Sequence, residues 1–301
     1  MCPHAGPLEA GHIVPAFVYR WLKETGATPF FRDGENPNLR LQDGYKRRWF
    51  CRACEDQMGR FERAFAEDLF PSVVGQQTAP YRHGPWLSRF LASVALRTVM
   101  LYSEEHDAFH YFTDEQTALI PRALKHWRAF VHGEADTPGI HELHFLPMGT
   151  LGDGTTLHRP LPPNINFYTL RTIEIHVASN SALAFAFVKM GPAVSLGFIQ
   201  PPAPGSWVGT KVALGEGQVG GQMALPRDFF DYFIERAERV RQANRRRSAR
   251  QNDKIRDSIA ANMERATASG TFQALDADVK RFGADRVFSW EDEEPSSGTR
   301  A

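Results

Sequence analysis

Cys51-Arg52-Ala53-Cys54 and His12 are the groups in this chain best suited to chemistry. A C-x-x-C turn points both sulfurs at one place, and zinc prefers four tetrahedral N/S ligands. With only three cysteines in the sequence, such a pair in a reducing compartment favours metal ligation over a disulfide. The other half of the ligand set must then come from elsewhere: Cys2 with His4, or with His12. The competing reading treats the cysteines as small buried residues, cysteine being among the most buried types, and His4 as part of a frayed end. Against it, a turn flanked by Arg47, Arg48 and Arg52 is a poor place for an inert apolar side chain.

Positive charge gathers around the same motif. Arg20, Lys46, Arg47, Arg48, Arg52 and Arg60 offer what a phosphate-binding surface requires, with Trp49 and Tyr45 able to stack on bases. The alternative is a solvated face whose aromatics fill a small core. A second run, Arg236 to Arg250, spreads its arginines around several faces of one helix and reads either as a phosphate contact or as an exposed helix. His141, His144, His158 and His176 fall at no ligand spacing and read as structural. No G-x-x-x-x-G-K-[ST], G-x-G-x-x-G or G-x-S-x-G occurs, which argues against a nucleotide cradle or a serine-hydrolase elbow.

Over 301 residues, 35 Lys and Arg balance 35 Asp and Glu. No global field therefore holds a polyanion, and any nucleic-acid contact must be local. The longest apolar runs, Ser181 to Lys189 and Phe90 to Leu101, are too short to span a bilayer. The start, Met1-Cys2-Pro3-His4, has no export signature, so a cytoplasmic location is expected.

Several elements must position these groups. Cys2 to Gly11 reads as a tight turn or knuckle leading into His12. Pro15 to Thr25 puts Phe17, Val18, Trp21 and Leu22 on one helical face, with Gly26 just beyond. Asn36 to Gly44 is a polar loop, Tyr45 to Phe50 a short strand, and Cys54 to Phe70 a helix carrying Met58, Phe61, Phe65 and Leu69 inward. Residues 81 to 133 predict two helices. From 139 to 213 come short β runs, Thr169 to Val177 alternating and Leu183 to Val188 continuously apolar, which predict an antiparallel sheet. Helices resume after Pro226, and Glu291 to Ala301 is a polar, disordered tail.

Gly11-His12-Ile13-Val14-Pro15 followed by Trp49-Phe50-Cys51-Arg52-Ala53-Cys54-Glu55 resembles the HNH endonuclease pattern, in which a D/S-H-I-x-P segment precedes L-C-x-x-C-[NH]. The resemblance covers about the first 70 residues. It implies a treble-clef zinc module over 1–72, with structural Zn2+ held by Cys2, His4, Cys51 and Cys54. It also implies a phosphodiester hydrolase in which His12 is the general base on water. One Mg2+ or Mn2+ would act at the phosphate, with Glu55 replacing the usual last His or Asn as an oxygen ligand, and Asp43, Glu62 or Asp56 as helpers. Arg47, Arg48, Arg52 and Arg60 would contact nucleic acid, DNA before RNA. The sequence departs from the pattern at Gly11, where an Asp ligand is common, at Ala5 in the first knuckle, and at Lys46 and Arg47, where a middle Asn is expected. The fold class expected is α+β: this module, a helical region over 73–138, and an antiparallel sheet with C-terminal helices over 139–290. A non-catalytic zinc-bearing protein that binds nucleic acid or protein is the alternative.

Overall fold

Apolar period and turn chemistry translate directly into elements along most of the chain. A computed structural model describes residues 6–34, 36–77, 79–105, 107–152 and 158–288. Cys2, His4 and the tail from 291 lie outside these described residues. In chain order the elements begin with β1 (Leu8–His12), α1 (Ala16–Glu24), β2 (Phe31–Arg32), β3 (Arg40–Leu41) and β4 (Lys46–Cys51). Next, α2 (Arg52–Ala64) runs through a π-type turn at Phe65–Leu69 into α3 (Phe70–Val74), followed by β5 (Tyr81–His83), α4 (Trp86–Tyr102) and α5 (Asp114–His132). The sheet region holds β6 (Leu143–Pro147), α6 (Ile165–Arg171), β7 (Ile173–Ser179), β8 (Ala184–Met190), β9 (Ala193–Gln200) and β10 (Gly217–Val219). The chain closes with α7 (Arg227–Arg245), α8 (Ala249–Ala260), α9 (Met263–Ala268), α10 (Gly270–Phe282) and α11 (Ala284–Phe288). The molecule is α+β, and its main sheet is antiparallel in the order β6-β9-β8-β7.

β8 explains that sheet. All seven of its residues are buried, which a strand achieves only when both faces are covered. Ala184, Ala186, Val188 and Met190 pack in the core shared with α4, whereas Phe185 and Phe187 pack with Tyr168 of α6 and Phe229, Phe233 and Ile234 of α7. The period of two thus serves two cores at once. α4 is apolar around its whole circumference because it runs between the sheet, α5 and α2. Its approach to β9 is close: a Cβ at Gly197 would lie 2.5 Å from the Ala95 Cβ and 3.1 Å from the Trp127 ring.

The core on the α4 side also takes in Val14, Val18, Phe50, Cys54 and Met58 from the amino-terminal region. The boundaries expected at 72 and 138 therefore fall within one continuous apolar cluster. Three local expectations need correction. The segment before His12 is not only a turn: Leu8–His12 forms a strand because β4 gives it antiparallel partners, Leu8 opposite Cys51 and His12 opposite Lys46. The polar loop 36–44 closes a short hairpin, β2 against β3. Thr169 to Arg171 belongs to α6 and not to a strand, because Asp278 accepts from the backbone N–H groups of Asn166 and Phe167 and anchors that helix start.

Candidate functional site

His12 ends β1 and stands opposite Lys46, the first residue of β4. The register slips once between Glu9 and Gly11, and such a bulge re-aims the side chains beyond it. β4 runs straight into α2, so Cys51, Cys54 and Glu55 are fixed by the strand-to-helix junction. The β1–β4 strand pair and one helix therefore present both the histidine and the cysteine pair.

The imidazole is held from one side. His12 Nε2 lies 2.8 Å from Asp43 Oδ1, and Lys46 Nζ lies 2.7 Å from the other carboxylate oxygen. Burial pushes the Asp43 carboxyl up, but hydrogen bonds from Lys46, His12 and the Gly44 N–H outweigh it and hold the group well below the usual carboxylate range. An ionised Asp43 accepts from Nε2–H, which selects the tautomer with a lone pair on Nδ1. The His12 side chain is 18% exposed, and the Tyr19 ring lies 6.2 Å away between centroids. The His12 backbone is tied down as well. Arg97, 2% exposed on α4, donates from Nη1 to His12 O at 2.8 Å and pairs through Nη2 with Glu62 at 2.8 Å.

Glu55 reaches toward Gly11. A Cβ built at Gly11 would sit 2.2 Å from Glu55 Oε1, so the carboxylate fills the space a side chain at position 11 would need. Burial raises its pKa, with Arg97 opposing and Glu62, Glu9 and Asp56 adding to the rise. Consecutive strand residues face opposite ways, so Glu55 approaches β1 on the Gly11 side while the imidazole turns toward Asp43.

Cys51 and Cys54 are 4% and 0% exposed, with sulfurs 3.7 Å apart and no disulfide. Two thiolates bound tetrahedrally at about 2.3 Å would stand about 3.8 Å apart, so the pair fits half of a zinc site. A Cβ at Gly6 would lie 4.0 Å from the Cys51 Cβ, which puts the chain just after Cys2 and His4 beside the thiols. For a catalytic Mg2+ or Mn2+ the fit is poorer. Asp43 is engaged with Lys46 and His12, Asp56 with Arg52 at 3.0 Å, and Glu62 with Arg97. Glu55 lies against β1 with Glu9 near it, and among the described residues no group of three or more His, Cys, Asp or Glu could hold a metal ion.

Three of the four basic residues expected to contact nucleic acid have partners within the chain. Arg47 pairs with Glu104 at 2.8 Å, Arg48 donates to Leu8 O at 2.8 Å, and Arg52 pairs with Asp56. Arg60 is exposed on α2. Trp49 donates its Nε1–H to Glu104 at 2.8 Å and docks β4 onto the end of α4. The histidines of the sheet region are structural. His144 bonds Thr210 and Glu142 while 1% exposed, and His141 bonds the carbonyls of Phe198 and Ile199.

Sequence reasoning missed Arg97, whose position looked like one more turn of an apolar helix. It ranked Asp43 only as a spare oxygen ligand, although a carboxylate three residues before Lys46 was visible. A cavity of about 460 Å3 lies near the other end of α1, among Trp21, Arg171, Arg265 and Gly270, and none of the site residues lines it. Its arginines are spent on the helix end: Arg171 donates to Thr25 Oγ1 and Leu22 O, and Arg265 to Gly26 O and Lys23 O.

No protein-family model, curated protein or solved structure matches this chain, so its own geometry carries the functional argument. Among the described residues no helix is long and apolar enough to cross a membrane.

Proposed function

We propose that the β1–β4 strand pair and α2 form an HNH-type phosphodiesterase centre with His12 as general base. The observation that supports this best is the His12–Asp43 pair at the end of β1, next to a cysteine pair spaced for zinc. Asp43 orients the ring and stabilises the charge it gains. His12 Nδ1 takes a proton from a water attacking phosphorus, a role worth typically 10²–10⁴-fold in rate. Arg97 fixes the backbone at His12, so the base does not drift. Structural Zn2+ would be held by Cys51 and Cys54, with Cys2 and His4 within a few residues of Gly6. A divalent ion at the phosphate would neutralise developing charge; Glu55, which packs against Gly11, is its proposed ligand and would swing to the His12 side to reach it.

The experiment is plasmid nicking with added Mg2+ or Mn2+, with zinc content measured on the same preparation. His12→Ala is expected to lower cleavage at least about a hundredfold while zinc stays near one per chain. Cleavage that survives His12→Ala overturns the assignment of the base, and a zinc content near zero overturns the module. A second reading, a non-catalytic zinc-bearing protein that binds nucleic acid or protein, is favoured by one observation: the described residues gather no set of three ligands for a catalytic ion. Retained zinc without cleavage of DNA or RNA under any divalent metal selects it.

A further inference from the structure

The hairpin β2–β3 places Arg32 directly opposite Arg40. Like charges facing each other across a strand pair are destabilising. Arg32 donates from Nη1 to two neutral acceptors, Pro37 O and Gln251 Oε1, each at 3.0 Å. No carboxylate among the described residues pairs with it or with Arg40. Both guanidinium groups lie over the Phe30 ring, Arg40 at 3.6 Å and Arg32 at 5.6 Å from its centroid.

The same hairpin is pinned to the corner between α7 and α8. Asn38 Nδ2 donates to Arg246 O at 3.3 Å, and the Ser248 N–H donates to Asn38 Oδ1 at 2.9 Å. That corner carries Arg246 and Arg247 of the basic run. Arg247 comes close enough to Arg32 that, after burial, the charge of Arg32 is what lowers its pKa further, as Arg40 does for Arg32. Tertiary folding thus concentrates cations from two distant parts of the chain. The opposite face of this hairpin reaches toward the candidate site, because Phe31 stacks on Tyr19 at 5.3 Å and Tyr19 lies 6.2 Å from the His12 ring.

The geometry points to the β2–β3 hairpin and the α7–α8 corner as the surface that grips the phosphodiester backbone of a nucleic acid, leading it toward His12. This deepens the nuclease reading and rests on it for the identity of the polymer. It relocates the phosphate contacts from Arg47, Arg48 and Arg52, which have partners in Glu104, Leu8 O and Asp56, to exposed Arg40 and Arg246, with Arg32, whose Nη2 is buried, adding its charge.

The test uses Arg40→Glu in the full chain carrying His12→Ala, with binding of a fluorescent duplex followed by anisotropy over a salt series without added divalent metal. Arg40 is exposed, and the new carboxylate faces Arg32, so the melting temperature is expected to hold or rise. Affinity is expected to fall at least about tenfold, and the slope of log K against log salt to shrink by about one to two, the share of one or two phosphate contacts. Unchanged affinity and slope overturn the proposal, as does failure of the parent protein to bind duplex or single strand at low salt. Outcomes for the two ideas separate. Binding that Arg40→Glu abolishes, in a protein that never cuts, sinks the nuclease reading and leaves the surface. Cutting that Arg40→Glu leaves unimpaired in otherwise native protein sinks the surface alone.

Discussion

Gly11 shows how one residue can decide whether a carboxylate reaches the strand that carries the base. Its missing side chain leaves room for Glu55 Oε1, which would lie 2.2 Å from any Cβ there. The obstructing atom is the end of a rotatable chain, so Gly11→Ala should displace Glu55 with little harm to the fold. The expected outcome is a stability change within about 1 kcal/mol by urea denaturation, with metal-dependent cleavage reduced at least about tenfold. Undiminished cleavage would remove Glu55 from the reaction. His12 and the C-x-x-C pair were legible in the sequence because motif spacing is local. The partnership of His12 with Asp43, 31 positions away, was not, since it depends on how the chain between β1 and β4 folds back.

Elements bring these residues to bear through packing. α4 is the central strut: one face receives α5 and α2, another the sheet, and Arg97 alone carries charge from its buried interior to the back of His12. It packs against Gly197 of the sheet, and Gly197→Ala would force a methyl to within 2.5 Å of the Ala95 Cβ and 3.1 Å of Trp127. Overpacking of this kind typically costs about 1–3 kcal/mol, so the variant should unfold at correspondingly lower urea; an unchanged midpoint would show that α4 can slide away from β9. The long helices and the presence of an antiparallel sheet were readable from period; its four strands and their order were not. β1 was not, because Leu8–His12 carries no strand signal of its own and becomes a strand only against β4.

For the whole molecule, buried histidines set the response to pH. Burial lowers His144 to about 4, with Lys211 adding to the drop and Glu142 opposing it, and burial with Arg236 and Arg239 lowers His176 to about 3. Both are neutral in the fold, while the unfolded chain takes up protons below 6.5. Their contribution is complete above pH 6.5 and is lost as pH falls toward those lower values. Asp278 works the other way. Burial pushes it up to about 6 against the Phe167 and Asn166 N–H groups, so it adds stability as pH falls from about 6. Between pH 7 and 5 the urea midpoint should therefore decline, His144 and His176 together contributing a slope of at most about 2.7 kcal/mol per pH unit, with His141, also lowered by burial, adding to it. His144→Gln should flatten that decline. A midpoint that rises toward pH 5 would contradict this balance.

What the sequence settled alone is what depends on neighbours along the chain: helix periods, the apolar run of β8, the turn that points two sulfurs the same way, and the α+β class they add up to. Tertiary structure decided everything that joins distant positions. It paired Arg47 with Glu104, and it set Arg32 and Arg40 face to face near Arg247. It also backed His12 with Asp43 and Arg97. Charge effects act through space over several ångströms, and sequence order says little about which charges will meet there.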